Sequence, residues 1–154
     1  MGAEIRASQM VYVKEIMRSD VKTARPDSSV REVVEKMNRF DIGSIIVVQE
    51  RRPVGIITER DILRKVVEHC LDPSICKAKD IMTTPTVTAK EDLSIEDAAS
   101  LMARYKIKRI PIVRESELVG IITATDLMEN NPLLAERSGK SARGRENQRV
   151  GSFG

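Results

Sequence analysis

Two hydroxyl–carboxylate pairs hold the most specific chemistry in this chain: Thr58 with Asp61, and Thr123 with Asp126. They lie in the stretches Gly55-Ile56-Ile57-Thr58-Glu59-Arg60-Asp61 and Gly120-Ile121-Ile122-Thr123-Ala124-Thr125-Asp126, which stand 65 residues apart. Each stretch reads as the apolar end of a strand, then a hydroxyl, then a carboxylate entering a helix. A carboxylate at that junction can accept hydrogen bonds from sugar hydroxyls, and the helix N-terminus offers unpaired N–H groups to an anion. Thr and Asp in these places also cap helices. For one copy alone capping is the simpler account; the duplication is what points to binding.

The remaining inventory argues against catalysis. The chain has a single histidine, His69, so no Ser-His-Asp arrangement is available away from it, and no G-x-x-x-x-G-K-[ST] loop is present to hold a triphosphate. Asp61 and Asp126 occupy equivalent repeats, so each is expected to face its own cleft and not to form an acid–base pair. Cys70 and Cys76 have neither the C-x-x-C redox spacing nor that of a paired zinc knuckle, and with His69 they would make only a poor metal site; no metal is expected. No apolar run is long enough to cross a bilayer, and Met1-Gly2-Ala3-Glu4-Ile5-Arg6 lacks the apolar core of a signal peptide, so a cytoplasmic protein is expected.

The net charge of +3 is unevenly placed. From Arg137 onward, Arg137, Lys140, Arg143, Arg145 and Arg149 face Glu146 alone, which leaves the rest of the chain slightly acidic. Phosphate-backbone affinity would therefore have to come from this tail. A nucleic-acid-binding adaptor working through the tail is the alternative function, but Phe153 is its only aromatic for base stacking.

Several elements must position the two pairs. Residues Met10 to Met17 are compatible with a short helix. Val30, Val33, Val34 and Met37 follow helical spacing within Ser28 to Phe40, with Asp27 or Ser28 as N-cap. Ser44 to Val48 is β-branched and short, a buried strand. Val54 to Ile57 supplies a second strand, and Asp61 to Val67 the helix after it. A displacement of 65 residues reproduces all of this without insertion or deletion: Ile95, Ala98, Ala99 and Met102 replace the helical set, and Ile110, Ile112 and Val113 replace Ile45, Val47 and Val48. Two such units, each too small for a good core, are expected to pack together about a pseudo-twofold axis. The expected organisation is an extension over 1–10, a repeat over 11–70, a linker over 71–77, a second repeat over 78–130 and a basic tail over 131–154.

The tandem pattern of an Ile-Met lead-in (Ile16-Met17, Ile81-Met82), a helix, paired strands and a closing Gly-h-h-Thr-x-x-Asp resembles a pair of cystathionine-beta-synthase-type (CBS) domains, a Bateman module. The resemblance covers roughly residues 11 to 130. It implies an α/β (α+β) fold of two β-α-β-β-α repeats, with adenine nucleotides or S-adenosylmethionine bound in two clefts, and a regulatory role without chemistry of its own. It further implies that Asp126 meets ribose hydroxyls, with Thr123 and Thr125 near ribose and phosphate. Lys108 and Arg109 resemble the family's phosphate-facing basic pair, and Val21, Lys22, Ile42, Gly43 and Ser44 would form the opposite wall. The other cleft would use Thr58 and Asp61, with Pro85, Thr86 and Ile107 opposite. There Gly43-Ser44 replaces the basic pair and Arg60 replaces Thr125, so the cleft of Asp126 is expected to bind more tightly. AMP, ADP, ATP and S-adenosylmethionine are the expected effectors. The family also implies a homodimer joined through helices bearing Ile62, Leu63, Val66, Val67, Leu127 and Met128, and an unidentified regulated partner.

Overall fold

The computed structural model describes residues 10–130. The basic tail and the cluster Pro132-Leu133-Leu134 therefore lie outside the described residues. The elements in order are α1 (Val13–Ile16), β1 (Thr23–Ala24), α2 (Val30–Phe40), β2 (Ser44–Gln49), β3 (Arg52–Thr58) and α3 (Glu59–Ile62), which runs into a π-helical turn (Leu63–Val67). The second series is α4 (Ala78–Ile81), β4 (Ala89–Lys90), α5 (Ile95–Tyr105), β5 (Arg109–Arg114), β6 (Glu117–Thr123) and α6 (Ala124–Asn130). Each repeat is thus β-α-β-β-α preceded by one helical turn. The two three-stranded sheets have the orders β1-β2-β3 and β4-β5-β6.

Helices α2 and α5 form for the same reasons. Val30, Val33 and Met37 recur on one face of α2, and Ile95, Ala98 and Met102 on one face of α5; all six are buried. Ser29 caps α2 by accepting from the Glu32 amide (3.1 Å), and Ser94 caps α5 by accepting from the Asp97 amide (3.1 Å). The cap of α2 is therefore neither Asp27 nor Ser28. Ser28 instead accepts from the Arg25 amide (3.0 Å), closing the turn before the helix. Both helices stop at a left-handed residue, Asp41 (φ 51°) and Lys106 (φ 55°).

β1 pairs parallel with β2, and β2 pairs antiparallel with β3, Ser44 opposite Thr58 and Ile46 opposite Ile56. β4 pairs parallel with β5 through Ala89 and Ile112. The hairpin β2–β3 turns through Glu50 (φ 51°) and Arg51 (φ 66°), and β5–β6 through Glu115 (φ 52°) and Ser116 (φ 68°). Two successive left-handed residues match the twist of the strands they join.

The chain forms two compact units that do not coincide with the two repeats. One comprises 18–91 and 111–121; the other, in its described part, comprises 10–17, 92–110 and 122–130. The core of the first unit is built from Val30, Val33, Met37, Ile45, Val47, Ile57 and Val66 together with Ala78 and Ile81 from α4. Backbone bonds hold α4 and the segment after it in this unit: Ala78 N–H donates to Ser28 O (2.7 Å), and Thr83 and Ile56 exchange two bonds (2.8 and 3.2 Å). In the second unit α1 is held to the start of α5, with Val13 N–H donating to Leu93 O (2.8 Å) and Ile95 N–H to Val11 O (3.1 Å). Helix α6 packs on both α1 and α5.

Of the apolar residues expected to need cover from a second copy, Val66 and Leu127 are buried inside their own units. Leu63 and Val67 are 61% and 59% exposed, and Ile62 and Met128 are half-buried. Among the described residues no helix is long and apolar enough to cross a membrane.

Candidate functional site

In the second repeat, Thr123 ends β6 and Asp126 lies in the first turn of α6. The Thr123 amide donates to Asp126 Oδ2 (3.0 Å), and the Asp126 amide donates back to Thr123 Oγ1 (3.1 Å). This reciprocal box fixes the carboxylate at the strand-to-helix junction, where Asp126 is only 4% exposed. Asn130 reaches back with its amide to the Asp126 carbonyl (2.7 Å), closing the helix end. Ala124 N–H donates to Lys108 O (2.8 Å), so the backbone just before β5 supports the same junction. Arg109, the first residue of β5, is half-buried, while Lys108 and Thr125 are exposed. Thr123, Asp126, Lys108 and Arg109 therefore belong to one local assembly, and Ile107 lies half-buried beside it.

The first repeat repeats the backbone plan. The Thr58 amide donates to Asp61 Oδ2 (2.9 Å), and the Asp61 amide donates to Thr58 Oγ1 (3.2 Å). Glu59 N–H donates to Gly43 O (3.2 Å), the counterpart of the bond from Ala124. The Asp61 carboxylate has further partners: Thr58 Oγ1 donates to Oδ2 (3.1 Å), while Thr83 Oγ1 (3.1 Å) and Lys65 Nζ (3.1 Å) meet Oδ1. Burial pushes the Asp61 carboxyl up, but the Thr58 amide, the Lys65 ammonium and the Thr83 hydroxyl together outweigh it and hold the group below the usual aspartate range. Arg60 is exposed.

The remaining predicted residues are placed as follows. Val21, Lys22, Ile42, Gly43, Ser44, Pro85 and Thr86 lie in the first unit with Thr58 and Asp61. Lys22 is engaged locally, with Nζ 3.0 Å from Asp20 and 4.2 Å from the centre of the Phe40 ring. Pro85 is exposed after a cis peptide bond, and Thr86 Oγ1 is buried without a hydrogen-bond partner among the described residues. A cleft of about 250 Å3 in this unit is lined by Ser19, Val21, Thr23, Val48, Arg51, Leu118 and Val119. That volume is just under the roughly 300–1,000 Å3 usual for small-molecule sites. Of its lining, sequence reasoning named only Val21. Ser19 and Thr23 gave no periodic signal, since the segment between them is bent, with Val21 N–H donating to Ser19 O (3.1 Å). Arg51 gave none, because its place depends on the left-handed hairpin tip whose carbonyl accepts from Leu118 N–H (2.8 Å).

Cys70 is exposed and Cys76 half-buried, both free thiols. Among the described residues no cluster of three His, Cys, Asp or Glu side chains could hold a metal ion.

A family model described as the CBS domain matches the chain twice, over residues 13–68 and 78–131. The chain is 40% identical over 126 residues to the protein MK0525 of Methanopyrus kandleri, covering 80% of this chain and 64% of that one. It is 34% identical over 121 residues to the CBS domain-containing protein YhcV of Bacillus subtilis, covering 79% and 86%. Among solved structures it is similar to the CBS domain pair of protein MJ0100 in complex with 5′-methylthioadenosine and S-adenosyl-L-methionine, with a TM-score of 0.70 and 29% identity over 78% of this chain and 94% of the other. With two matched segments and both β-α-β-β-α repeats in place, the chain belongs to the CBS domain family as a tandem pair.

Proposed function

We propose that this CBS pair is a regulatory module without catalytic activity that binds an adenosine ligand, AMP, ADP, ATP or S-adenosylmethionine, and passes its occupancy to a protein partner. The observation that carries the reading is the buried Asp126 carboxylate, held by Thr123 at a strand-to-helix junction next to Lys108 and Arg109. It is supported by the MJ0100 pair, a similar fold holding two adenosine compounds. Asp126 accepts from the ribose hydroxyls in this reading. Thr123 and Thr125 lie along ribose and phosphate, and Lys108 and Arg109 attract phosphate. Thr58, Asp61, Arg60, Pro85 and Thr86 form the weaker set. Regulation requires the ligand to favour one arrangement of the module over another. The exposed Leu63 and Val67 support a homodimer as the setting of that change, and the reading places it in the cytoplasm.

The test is calorimetry with these four compounds on the unmodified protein, Asp126→Ala and Asp61→Ala. A lost charge-assisted bond is worth about 1.5–3 kcal/mol, so Asp126→Ala should weaken binding roughly ten- to a hundredfold. Unchanged affinity in Asp126→Ala with loss in Asp61→Ala would reverse the ranking of the two sites.

A further inference from the structure

The cleft of about 250 Å3 in the first unit has a frame that three elements close on one another. The segment leading into β1 is joined to β6 where Arg18 and Ile121 exchange two backbone bonds (2.9 Å each), and β1 is joined to β2 where Thr23 stands opposite Ile46. The tip of the β2–β3 hairpin returns to β6, with Leu118 N–H donating to the Arg51 carbonyl (2.8 Å). Val21, Val48, Leu118 and Val119 give the cleft apolar walls, and its polar groups are the Ser19 and Thr23 hydroxyls and the Arg51 guanidinium. Among the described residues, none of these three polar groups has a hydrogen-bond or ion-pair partner. Neither neighbouring carboxylate lines the cleft: Asp20 is engaged by Lys22 at 3.0 Å, and Glu50 is exposed. Arg51 also stands where arginine is not the expected residue. It is the second of two left-handed residues in the hairpin (φ 66°), a place that suits glycine or asparagine, and its counterpart in the second repeat is the uncharged Ser116 (φ 68°). A long cation kept at a left-handed position, lining a preformed cleft, is the kind of backbone strain that marks a ligand contact.

We infer that this cleft binds a small monocarboxylate with a compact apolar body, an aromatic or branched-chain acid, and that Arg51 is the residue that selects it. The planar guanidinium fork holds both oxygens of a carboxylate through parallel N–H···O bonds. A carboxylate has about four acceptor sites, which the fork and the two hydroxyls fill together. The four apolar side chains cover the rest of the ligand, in the pattern of a small-molecule site with few polar groups on apolar walls. The volume, below the usual range for such sites, sets the ligand's size at a single ring or a short branched chain. A phosphate monoester carries more charge than one guanidinium matches and gains nothing from the apolar walls. No residue of the cleft belongs to a Thr-x-x-Asp junction, so the inference does not rest on the adenosine reading.

The experiment is an NMR titration of the full chain that follows backbone amide shifts, with benzoate as probe. Benzyl alcohol tests the charge, acetate the apolar body and inorganic phosphate the class of anion. Benzoate should give saturable shifts at residues 19–23, 51 and 118–119, and each of the other three compounds should bind about tenfold or more weakly. Arg51→Gln should lose about tenfold or more of the benzoate affinity. Arg51→Gly should lose it as well while raising the melting temperature, because glycine suits the left-handed backbone; a merely structural arginine would not separate those two readouts. This second variant keeps the inference testable if Arg51→Gln fails to fold. Asp126→Ala should leave benzoate binding unchanged. The inference is overturned by the absence of saturable shifts at millimolar benzoate, by unchanged benzoate affinity in both Arg51 variants, or by any of the three control compounds binding as tightly as benzoate. Displacement of benzoate by AMP would also overturn it, by making the cleft part of an adenosine site.

Discussion

Replacing Gly55 by Ala adds one methyl group to the middle of β3, and its cost can be worked from the neighbours. A Cβ at this position would stand 2.5 Å from Met82 Sδ, 2.7 Å from its Cγ and 3.0 Å from its Cβ. The sulfur end can swing aside. The Met82 Cβ cannot, because the next residue, Thr83, is pinned to Ile56 by bonds of 2.8 and 3.2 Å. Overpacking of this kind costs about 1–3 kcal/mol. Gly55 does not have a positive φ, so Ala is conformationally welcome and recovers roughly 0.5–1 kcal/mol of backbone entropy. The expected net is a destabilisation of about 1–2 kcal/mol, from those two opposing effects. In a Met82→Ala background the contacts with Sδ and Cγ disappear and only the 3.0 Å approach of the residue-82 Cβ remains, so the same substitution should become clearly less destabilising. Urea unfolding of the four proteins of this double-mutant cycle measures the difference. A Gly55→Ala effect of the same sign and size in both backgrounds would refute the argument from Met82.

Asp61, held below its ordinary value of 3.8, contributes stability that is complete above that pKa and is lost as pH falls through the lower folded value; Asp61→Asn should flatten the acid limb of a urea-stability profile. Lys106→Gly relieves a left-handed lysine at the end of α5 (φ 55°), which should add about 1 kcal/mol and raise the melting temperature by about 2–4 °C in a scanning experiment. Asp41→Gly should gain less, since aspartate tolerates that conformation better. Arg109→Ala should narrow the affinity gap between AMP and adenosine, most clearly at low salt, if the guanidinium attracts phosphate in the proposed site; an unchanged gap in parallel calorimetric titrations counts against that role.

The periodic part of the fold was legible because burial leaves a pattern. Val30, Val33 and Met37 announced α2, Ile45 to Val48 announced β2, and the 65-residue displacement carried both into the second repeat. β1 and β4 were not legible from residue pattern, since two residues carry no period and their pairing depends on distant partners, Ile46 for Thr23 and Ile112 for Ala89. The cap of α2 was misplaced among neighbouring residues, Asp27 or Ser28 for Ser29, because any of them can accept from an amide and only the turn geometry decides. At the site, Thr58, Asp61, Thr123 and Asp126 stand at the junctions expected of them. What stayed hidden were the more distant partners of Asp61. Lys65 and Thr83 reach Asp61 through a helical widening and through chain 22 residues away, neither of which the local motif encodes.

The interleaving of the two units also has a consequence for the order in which the protein can be completed during synthesis. Residues 18–91 share a unit with 111–121, and the core around Ile57 is unfinished until Ala78 and Ile81 have been made. Helix α1 is among the earliest described segments, yet its backbone partners Leu93 and Ile95 arrive about 80 residues later, and α6, on which it packs, later still. A nascent chain that ends at the first repeat therefore has neither unit whole. Since units generally fold as wholes, the first unit can close only once residue 121 has emerged and the second only once α6 has, and truncations between the repeats should leave chains that chaperones and proteases treat as unfinished.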